Sequence, residues 1–301
     1  MGKNLRIGFV GLGKMGNPMS IRLMEAGYHL IIYDIIKKKT KQLADRGAEI
    51  ADSAEDVAIK SNIILLSIPG DPQLIDACLG EQGILKGAKS GSILIDMSTV
   101  TPIASSKVAA FANQKGVKYL RAPVSGSTTF AAKGQLSIFV SGDKKTYDQC
   151  LHIFNVLGKS VTYVGCEEEA RYIKLLINMM VATTSQMVAE ALTFGEHAGI
   201  DWEKLINVIG ESIIASPLIG YKIKPLLNRD FTPAFTLKHM GKDLDYALVT
   251  GKKIGVTMPI TSLVRQFIAA AEATGKGNKD FFSLLLLMEE ISGIKRDKDM
   301  K

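Results

Sequence analysis

Lys174 and Asn178 stand four residues apart in Arg171-Tyr172-Ile173-Lys174-Leu175-Leu176-Ile177-Asn178-Met179-Met180-Val181, a run that is otherwise apolar almost all round. The i, i+4 spacing puts both on one face of a helix, so a single polar spot faces a buried surface. Burial away from carboxylates disfavours the ammonium form and lowers a lysine pKa towards neutrality, which suits a general acid or base. The plainer reading is a lysine whose stem lies on apolar surface while its ammonium reaches water. A second candidate is Ala122-Pro123-Val124-Ser125-Gly126-Ser127, which closes a predicted strand with a turn. Its hydroxyls and backbone N–H groups could hold a carboxylate, and an ordinary Ser-Gly turn would use the same residues. Lys242-Asp243 falls on a predicted helix, where a surface ion pair is the default. Asp280, after a Gly-Lys-Gly-Asn turn, could be a helix cap.

A third group is made of backbone. Arg6-Ile7-Gly8-Phe9-Val10 runs into Gly11-Leu12-Gly13-Lys14-Met15-Gly16 and then into a helix-like stretch from Asn17 to Ala26. Strand, glycine turn and helix come in the order of a dinucleotide-binding βαβ unit, in which Gly11 permits the tight turn, Gly13 lets the backbone approach a pyrophosphate, and Gly16 lets helix and strand pack closely; an ordinary tight βα turn would use the same glycines. Tyr28-His29-Leu30-Ile31-Ile32-Tyr33 then leads to Asp34, roughly 20 residues beyond the last glycine, where a carboxylate bonds the ribose hydroxyls of NAD and repels a 2′-phosphate. Lys37, Lys38 and Lys39 are the counter-signal for NADP.

The elements that must position these residues are legible in the hydrophobic pattern. Predicted strands recur at 62–68, 92–97, 117–120 and 135–140, with helical periodicity between them at 52–61 and 102–115. Strands rich in Ile and Leu on both faces and separated by helices predict a mostly parallel, doubly wound sheet. In such a sheet ligands sit beyond the carboxyl ends of the strands, which singles out Ser67-Ile68-Pro69, Ser98-Thr99 and Ser125-Gly126. From about Glu167 the alternation stops. Glu168 to His197 reads as one helix of about 30 residues and about 45 Å, followed by helices broken at Ser216-Pro217, Thr232-Pro233, Met258-Pro259 and Gly275-Lys276-Gly277. An α/β domain over 1–166 and an all-α domain over 167–301 are expected.

At 301 residues, 47% hydrophobic and 22% charged, the chain has enough apolar mass for two cores. The formal charge of +7 favours acidic small molecules, whereas one Trp and no arginine-rich arm argue against nucleic acid. Its basic clusters, Lys37 to Lys39 and Lys295-Arg296-Asp297-Lys298, read as solvated surface. Cys78, Cys150 and Cys166 are scattered and read as small buried hydrophobes in a reducing cytosol. His29, His152, His197 and His239 share no metal-like spacing, so no metal is expected. The best membrane-span candidate, 173–189, is interrupted by Lys174, Asn178 and Gln186, and Met1 leads straight into charged residues. A soluble cytoplasmic protein with no membrane partner is expected, with long apolar helices suited to a homodimer or homotetramer.

Together these motifs resemble the β-hydroxyacid dehydrogenase family nearly end to end. The marks are Gly8-Phe9-Val10-Gly11-Leu12-Gly13-Lys14-Met15-Gly16-Asn17-Pro18-Met19, Asp96-Met97-Ser98-Thr99, Ala122-Pro123-Val124-Ser125-Gly126, Lys174 with Asn178, and Lys242-Asp243-Leu244. The resemblance implies a Rossmann-type domain followed by an all-α domain, like the C-terminal domain of 6-phosphogluconate dehydrogenase, entered through a long interdomain helix. It makes Lys174 the catalytic lysine, Asn178 a substrate-holding asparagine, and Ser125, Gly126 and Ser127 the turn for the substrate carboxylate. Thr99 and Lys242 match contacts to the nicotinamide end of NAD or NADP, and Asp243 matches the acid beside them. The implied reaction is hydride transfer between the cofactor and a small β-hydroxy acid or its semialdehyde. Relatives usually carry glycine where this chain has Ser127, Phe130, Glu168 and Ala170, and an acid where it has Arg121. The alternatives are a dinucleotide-binding sensor or scaffold without turnover, and an imine reductase, whose members usually replace the lysine.

Overall fold

The computed structural model describes residues 6–294, so the basic run at 295–298 lies outside the described residues. The chain forms two compact units, Met1–Leu175 and Leu176–Lys301.

The first unit is built on one nine-stranded sheet: β1 (Arg6–Val10), β2 (His29–Tyr33), β3 (Glu49–Ile50), β4 (Ile63–Leu66), β5 (Ile93–Asp96), β6 (Lys118–Arg121), β7 (Val124–Ser125), β8 (Leu136–Ser141) and β9 (Gly158–Gly165). The order is β3-β2-β1-β4-β5-β6-β8-β7, with β9 paired to β8. Strands β1 to β6 are parallel to their neighbours among themselves. Beyond β6 the pattern changes. β8 runs antiparallel to β6 and β7, and β9 returns parallel to β8. Three of these strands escape the hydrophobic pattern. β3 and β7 have two residues each, and β9 is an edge strand with a mostly half-exposed or exposed sequence, so none forms an apolar run.

Alternate residues of each central strand enter separate cores. Ile63, Leu65, Ile93 and Ile95 join Ile7, Phe9 and Met19 on one face, whereas Ile64, Leu66 and Leu94 join Val10, Val57 and Leu74 on the other. Helices cover both faces, which is why these strands read as continuous apolar runs. The strand order reverses where β2 and β4 flank β1, and the carboxyl ends of β1 and β4 border the crevice in which such sheets hold ligands.

The second unit has no strand among its described residues beyond an isolated Thr236 to Asp280 bridge. Its core gathers Ala182, Val188, Leu192, Leu237, Met240, Leu244, Val264, Ile268 and Phe281. The proline breaks act as helix starts: Ser216 caps Pro217–Leu227 by accepting from Ile219 N, and Pro259 opens Pro259–Ala273. Glu169–His197 is a single helix of 29 residues. By length and composition it could cross a membrane, and 44% of its most apolar window is buried inside the protein. Ala182, Val188, Ala189 and Leu192 spend their apolar surface on the helical core.

Candidate active site

The turn after β1 is held by its own backbone. Gly11, at φ +89°, donates to Tyr33 O at 2.9 Å, and a Cβ there would lie 2.2 Å from Ser67 O at the end of β4. A Cβ at Gly16 would lie 1.9 Å from Gly11 O. At Gly13 a Cβ would meet nothing within 4 Å. Two glycines are therefore required by the protein itself, whereas the third keeps the backbone open towards a ligand. Met15 precedes the helix Gly16–Glu25 and packs on the core beneath the turn. These residues fit a pyrophosphate seated on the helix N-terminus.

Asp34 is buried at 6% exposure and serves two backbones: Leu12 N donates to Oδ2 and Ile36 N to Oδ1, each at 2.8 Å. The carboxylate is thereby locked beside the glycine turn, with acceptor capacity left for ribose hydroxyls. Lys39 Nζ lies 3.4 Å from Oδ2, so one lysine of the basic run pairs with the acid, while Lys37 and Lys38 stay exposed.

The next two strand ends are tied together. Ile68 N donates to Ser98 Oγ at 3.0 Å, and Ser98 N donates to Asp96 Oδ1 at 2.9 Å. Ser67, Ile68 and the adjoining Pro69 thus share a scaffold with Thr99, which is half-buried. The other Asp96 oxygen accepts from Tyr119 at 2.9 Å and from Arg171 Nη2 at 2.5 Å. Arg171 is wholly buried, and it also donates to Ser98 O at 2.7 Å, to Ser105 Oγ at 3.2 Å and to Tyr119 at 3.0 Å. Burial opposes its charge, but the Asp96 carboxylate holds the guanidinium above its ordinary value. Burial and then Asp96 push the Tyr119 phenol well up, so it stays neutral and bridges the pair.

Two of the residues that depart from the family pattern are partners of each other. Arg121 Nε donates to Glu168 Oε1 at 2.9 Å, with Nη2 on the same oxygen, and the pair is almost wholly buried. Glu168 Oε2 is buried without a hydrogen-bond partner. Arg121 therefore adds no unpaired cation. Phe130, on Thr128–Ala132, packs over the turn at Gly126: a Cβ at Gly126, whose φ is +135°, would lie 3.2 Å from Phe130 Cβ. Ser125 ends β7 opposite Ser137, and the Ser127 side chain makes no capping bond to the helix that follows. Ala170 is buried, and its N–H donates to Ser141 Oγ at 3.2 Å.

Lys174 lies in the second turn of Glu169–His197 and is buried at 9% exposure. Asn178 is buried one turn further along the same face. Asn178 Nδ2 donates to Asp243 Oδ2 at 2.6 Å, and Lys242 Nζ lies 2.9 Å from Asp243 Oδ1. The expected surface ion pair at 242–243 is thus corrected: Asp243 is 1% exposed and orients a buried amide. Asp280 caps a short 3₁₀ turn by accepting from Phe282 N, and it also pairs with the buried Lys222 at 2.5 Å. Cys166 is exposed, contrary to the expectation of burial that Cys78 and Cys150 meet. No cluster of metal-ligating side chains occurs among the described residues.

The family profile for the NAD binding domain of 6-phosphogluconate dehydrogenase matches residues 6–165, and that for the NAD-binding domain of NADP-dependent 3-hydroxyisobutyrate dehydrogenase matches 169–288. A 2-(hydroxymethyl)glutarate dehydrogenase of Eubacterium barkeri is 31% identical over 295 residues, covering 98% of both chains. The chain belongs to the β-hydroxyacid dehydrogenase family. It is an NAD(P)-dependent oxidoreductase of that family. A 2-hydroxy-3-oxopropionate reductase of Escherichia coli (strain K12) is 32% identical over 285 residues, 95% of this chain and 97% of its own. Among solved structures, a 3-hydroxyisobutyrate dehydrogenase of Mycobacterium tuberculosis with L-serine superposes with a TM-score of 0.86 at 25% identity, covering 94% of this chain and 99% of that one. Such relatives do not favour the sensor or imine reductase readings.

The sequence reading passed over Arg171 as one residue of an apolar run and did not pair Arg121 with Glu168. A signal was present for Arg171. Asp96 ends an apolar strand, and a buried acid demands a cation. Arg171 lies three residues before Lys174, on the same side of the helix.

Proposed function

We propose that this family member is an NAD-preferring dehydrogenase that interconverts a small β-hydroxy acid and its semialdehyde, with Lys174 as general acid and base. The observation that carries the reading is the burial of Lys174, one helical turn before a buried Asn178. Lys174 takes the hydroxyl proton during oxidation and returns a proton to the carbonyl oxygen during reduction, a role worth roughly 10² to 10⁴ in rate. Asn178, with its amide nitrogen held by Asp243, helps hold the substrate, and Ser125, Gly126 and Ser127 receive its carboxylate. When bound, the nicotinamide supplies or accepts the hydride. Gly11, Leu12, Gly13, Met15 and Gly16 hold the pyrophosphate, Ser67, Ile68, Pro69, Thr99 and Lys242 serve the cofactor beyond it, and Asp243 acts through Lys242.

The preference for NAD is supported by Asp34, whose carboxylate is fixed by Leu12 N and Ile36 N at the end of β2, where an acid bonds ribose hydroxyls and repels a 2′-phosphate. Names of relatives support the substrate class, since a 2-(hydroxymethyl)glutarate dehydrogenase and a 2-hydroxy-3-oxopropionate reductase each act at a one-carbon alcohol or aldehyde beside a carboxylate-bearing centre. For function the domains are taken as 1–166 for the dinucleotide and 167–301 for substrate and assembly, in a cytoplasmic homodimer or homotetramer. The test is NAD(H)- and NADP(H)-linked turnover of 2-(hydroxymethyl)glutarate, 3-hydroxyisobutyrate, tartronate semialdehyde and related short acids. On an accepted substrate, Lys174→Ala should lose at least a hundredfold in kcat with the fold intact, and near-normal kcat would refute the role.

A further inference from the structure

We propose that Arg171 is a positioning residue for the nicotinamide side of the site, clamping the loops after β4 and β5 to the helix that carries Lys174. The inference rests on the assignment of Thr99 and Lys174 above. Glu169–His197 begins against the carboxyl ends of the strands, and several of its first polar contacts run to that edge. Ser141 Oγ accepts from Ala170 N and donates to Glu167 O, which pins the start of the helix to the end of β8. Two ion pairs of opposite sense then join the same elements: Glu168, just before the helix, takes Arg121 at the end of β6, and Arg171 in its first turn takes Asp96 at the end of β5. Tyr119 lies between them, with the Arg121 guanidinium 4.8 Å from its ring centroid and its hydroxyl on Arg171 and Asp96.

Of these contacts, the bond from Arg171 Nη1 to Ser98 O is the one that holds the backbone of the loop after β5. Asp96 already neutralises the charge, and Tyr119 and Ser105 already satisfy other N–H groups. Ser98 is bound on three sides: its carbonyl by Arg171, its N–H by Asp96 Oδ1 and its hydroxyl by Ile68 N. Thr99 follows directly, and Ile68 lies between Ser67 and Pro69. A planar fork can hold a carboxylate and a carbonyl at once, whereas a lysine ammonium, whose three donors share one nitrogen, can replace the charge but not both positions. One buried guanidinium thus sets the distance between cofactor loops and the acid/base helix, and an error of about 1 Å there can cost roughly a hundredfold in rate.

The experiment compares NADH with ADP-ribose, which lacks the nicotinamide, by calorimetric titration of the full chain. In Arg171→Lys, NADH affinity should fall about tenfold or more, about 1.4 kcal/mol, while ADP-ribose affinity, set by the glycine turn and Asp34, should change less than twofold. Equal losses for both ligands, wild-type affinity for NADH, or equal wild-type affinity for the two ligands would each overturn the proposal. Should Arg171→Lys not fold, the double variant Asp96→Asn with Arg171→Gln removes both charges together and is read against the same criteria. The two readings fail separately. If Lys174 is not the acid/base, its alanine variant keeps turnover while the ligand split at Arg171 persists; if Arg171 does not position, the split vanishes while Lys174→Ala remains inactive.

Discussion

The glycine turn and the cluster around Arg171 lie at the same edge of one sheet, and they are built from different materials. The turn from Gly11 to Gly16 is built from consecutive backbone atoms and bonded to Asp34 at the end of the neighbouring strand. The Arg171 cluster draws Asp96, Ser98, Ser105, Tyr119 and Arg171 from four elements, and its central ion pair is wholly buried. A turn made of backbone needs particular residues only where a side chain would collide. The cluster needs every member, because a buried guanidinium or carboxylate left alone costs about 3 to 5 kcal/mol.

That contrast sets the order of expected effects below the hundredfold or greater loss at Lys174. Gly16→Ala forces a methyl to within 1.9 Å of Gly11 O, so thermal unfolding should show a clear loss of stability and NADH titration a loss of cofactor binding. Gly13→Ala has room in the protein itself. Its melting temperature should stay close to wild type while NADH affinity falls about tenfold, and equal effects from the two alanines would erase the distinction between a glycine kept for the fold and one kept for the ligand. Asp34→Ser should shift the ratio of kcat/KM for NAD over NADP towards NADP by about tenfold, because Lys37, Lys38 and Lys39 then face no competing carboxylate. An unchanged ratio would mean that Asp34 serves only the Leu12 and Ile36 N–H groups.

The smallest effect is expected outside both sets of contacts, at Asp143. Its carboxylate caps Lys144–Leu157 through Thr146 and is held below the usual carboxylate range, by the Thr146 hydroxyl first and its N–H second. A depressed folded pKa stabilises above the unfolded value near 4 and is lost as pH falls through the folded value. Asp143→Ala should therefore cost about 1 kcal/mol at neutral pH and progressively less towards acid, with cofactor affinity unchanged. A cost that grows on acidification would reverse the sign of the argument.

Local pattern made much of the first unit legible. Periodicity placed six of its strands and the long helix, since strands apolar on both faces and a 29-residue apolar helix leave clear signatures. β3, β7 and β9 were not legible, because two-residue strands and an edge strand carry no apolar run. The antiparallel setting of β8 depends on where the chain turns after β6, and hydrophobicity does not encode direction. At 242–243, helix spacing alone allowed a surface pair, and only packing against Glu169–His197 buried Asp243 beside Asn178.

What the sequence by itself determined is whatever depends on neighbours along the chain: the glycine turn, the acid after β2, the four-residue spacing of Lys174 and Asn178, and through these motifs the family. Only the tertiary structure decided which charges meet. Arg171 reaches Asp96 across 75 positions of chain, and Arg121 reaches Glu168 across 47. The pairing of side chains so far apart is fixed by the order and twist of the sheet, and no local rule of spacing carries that information.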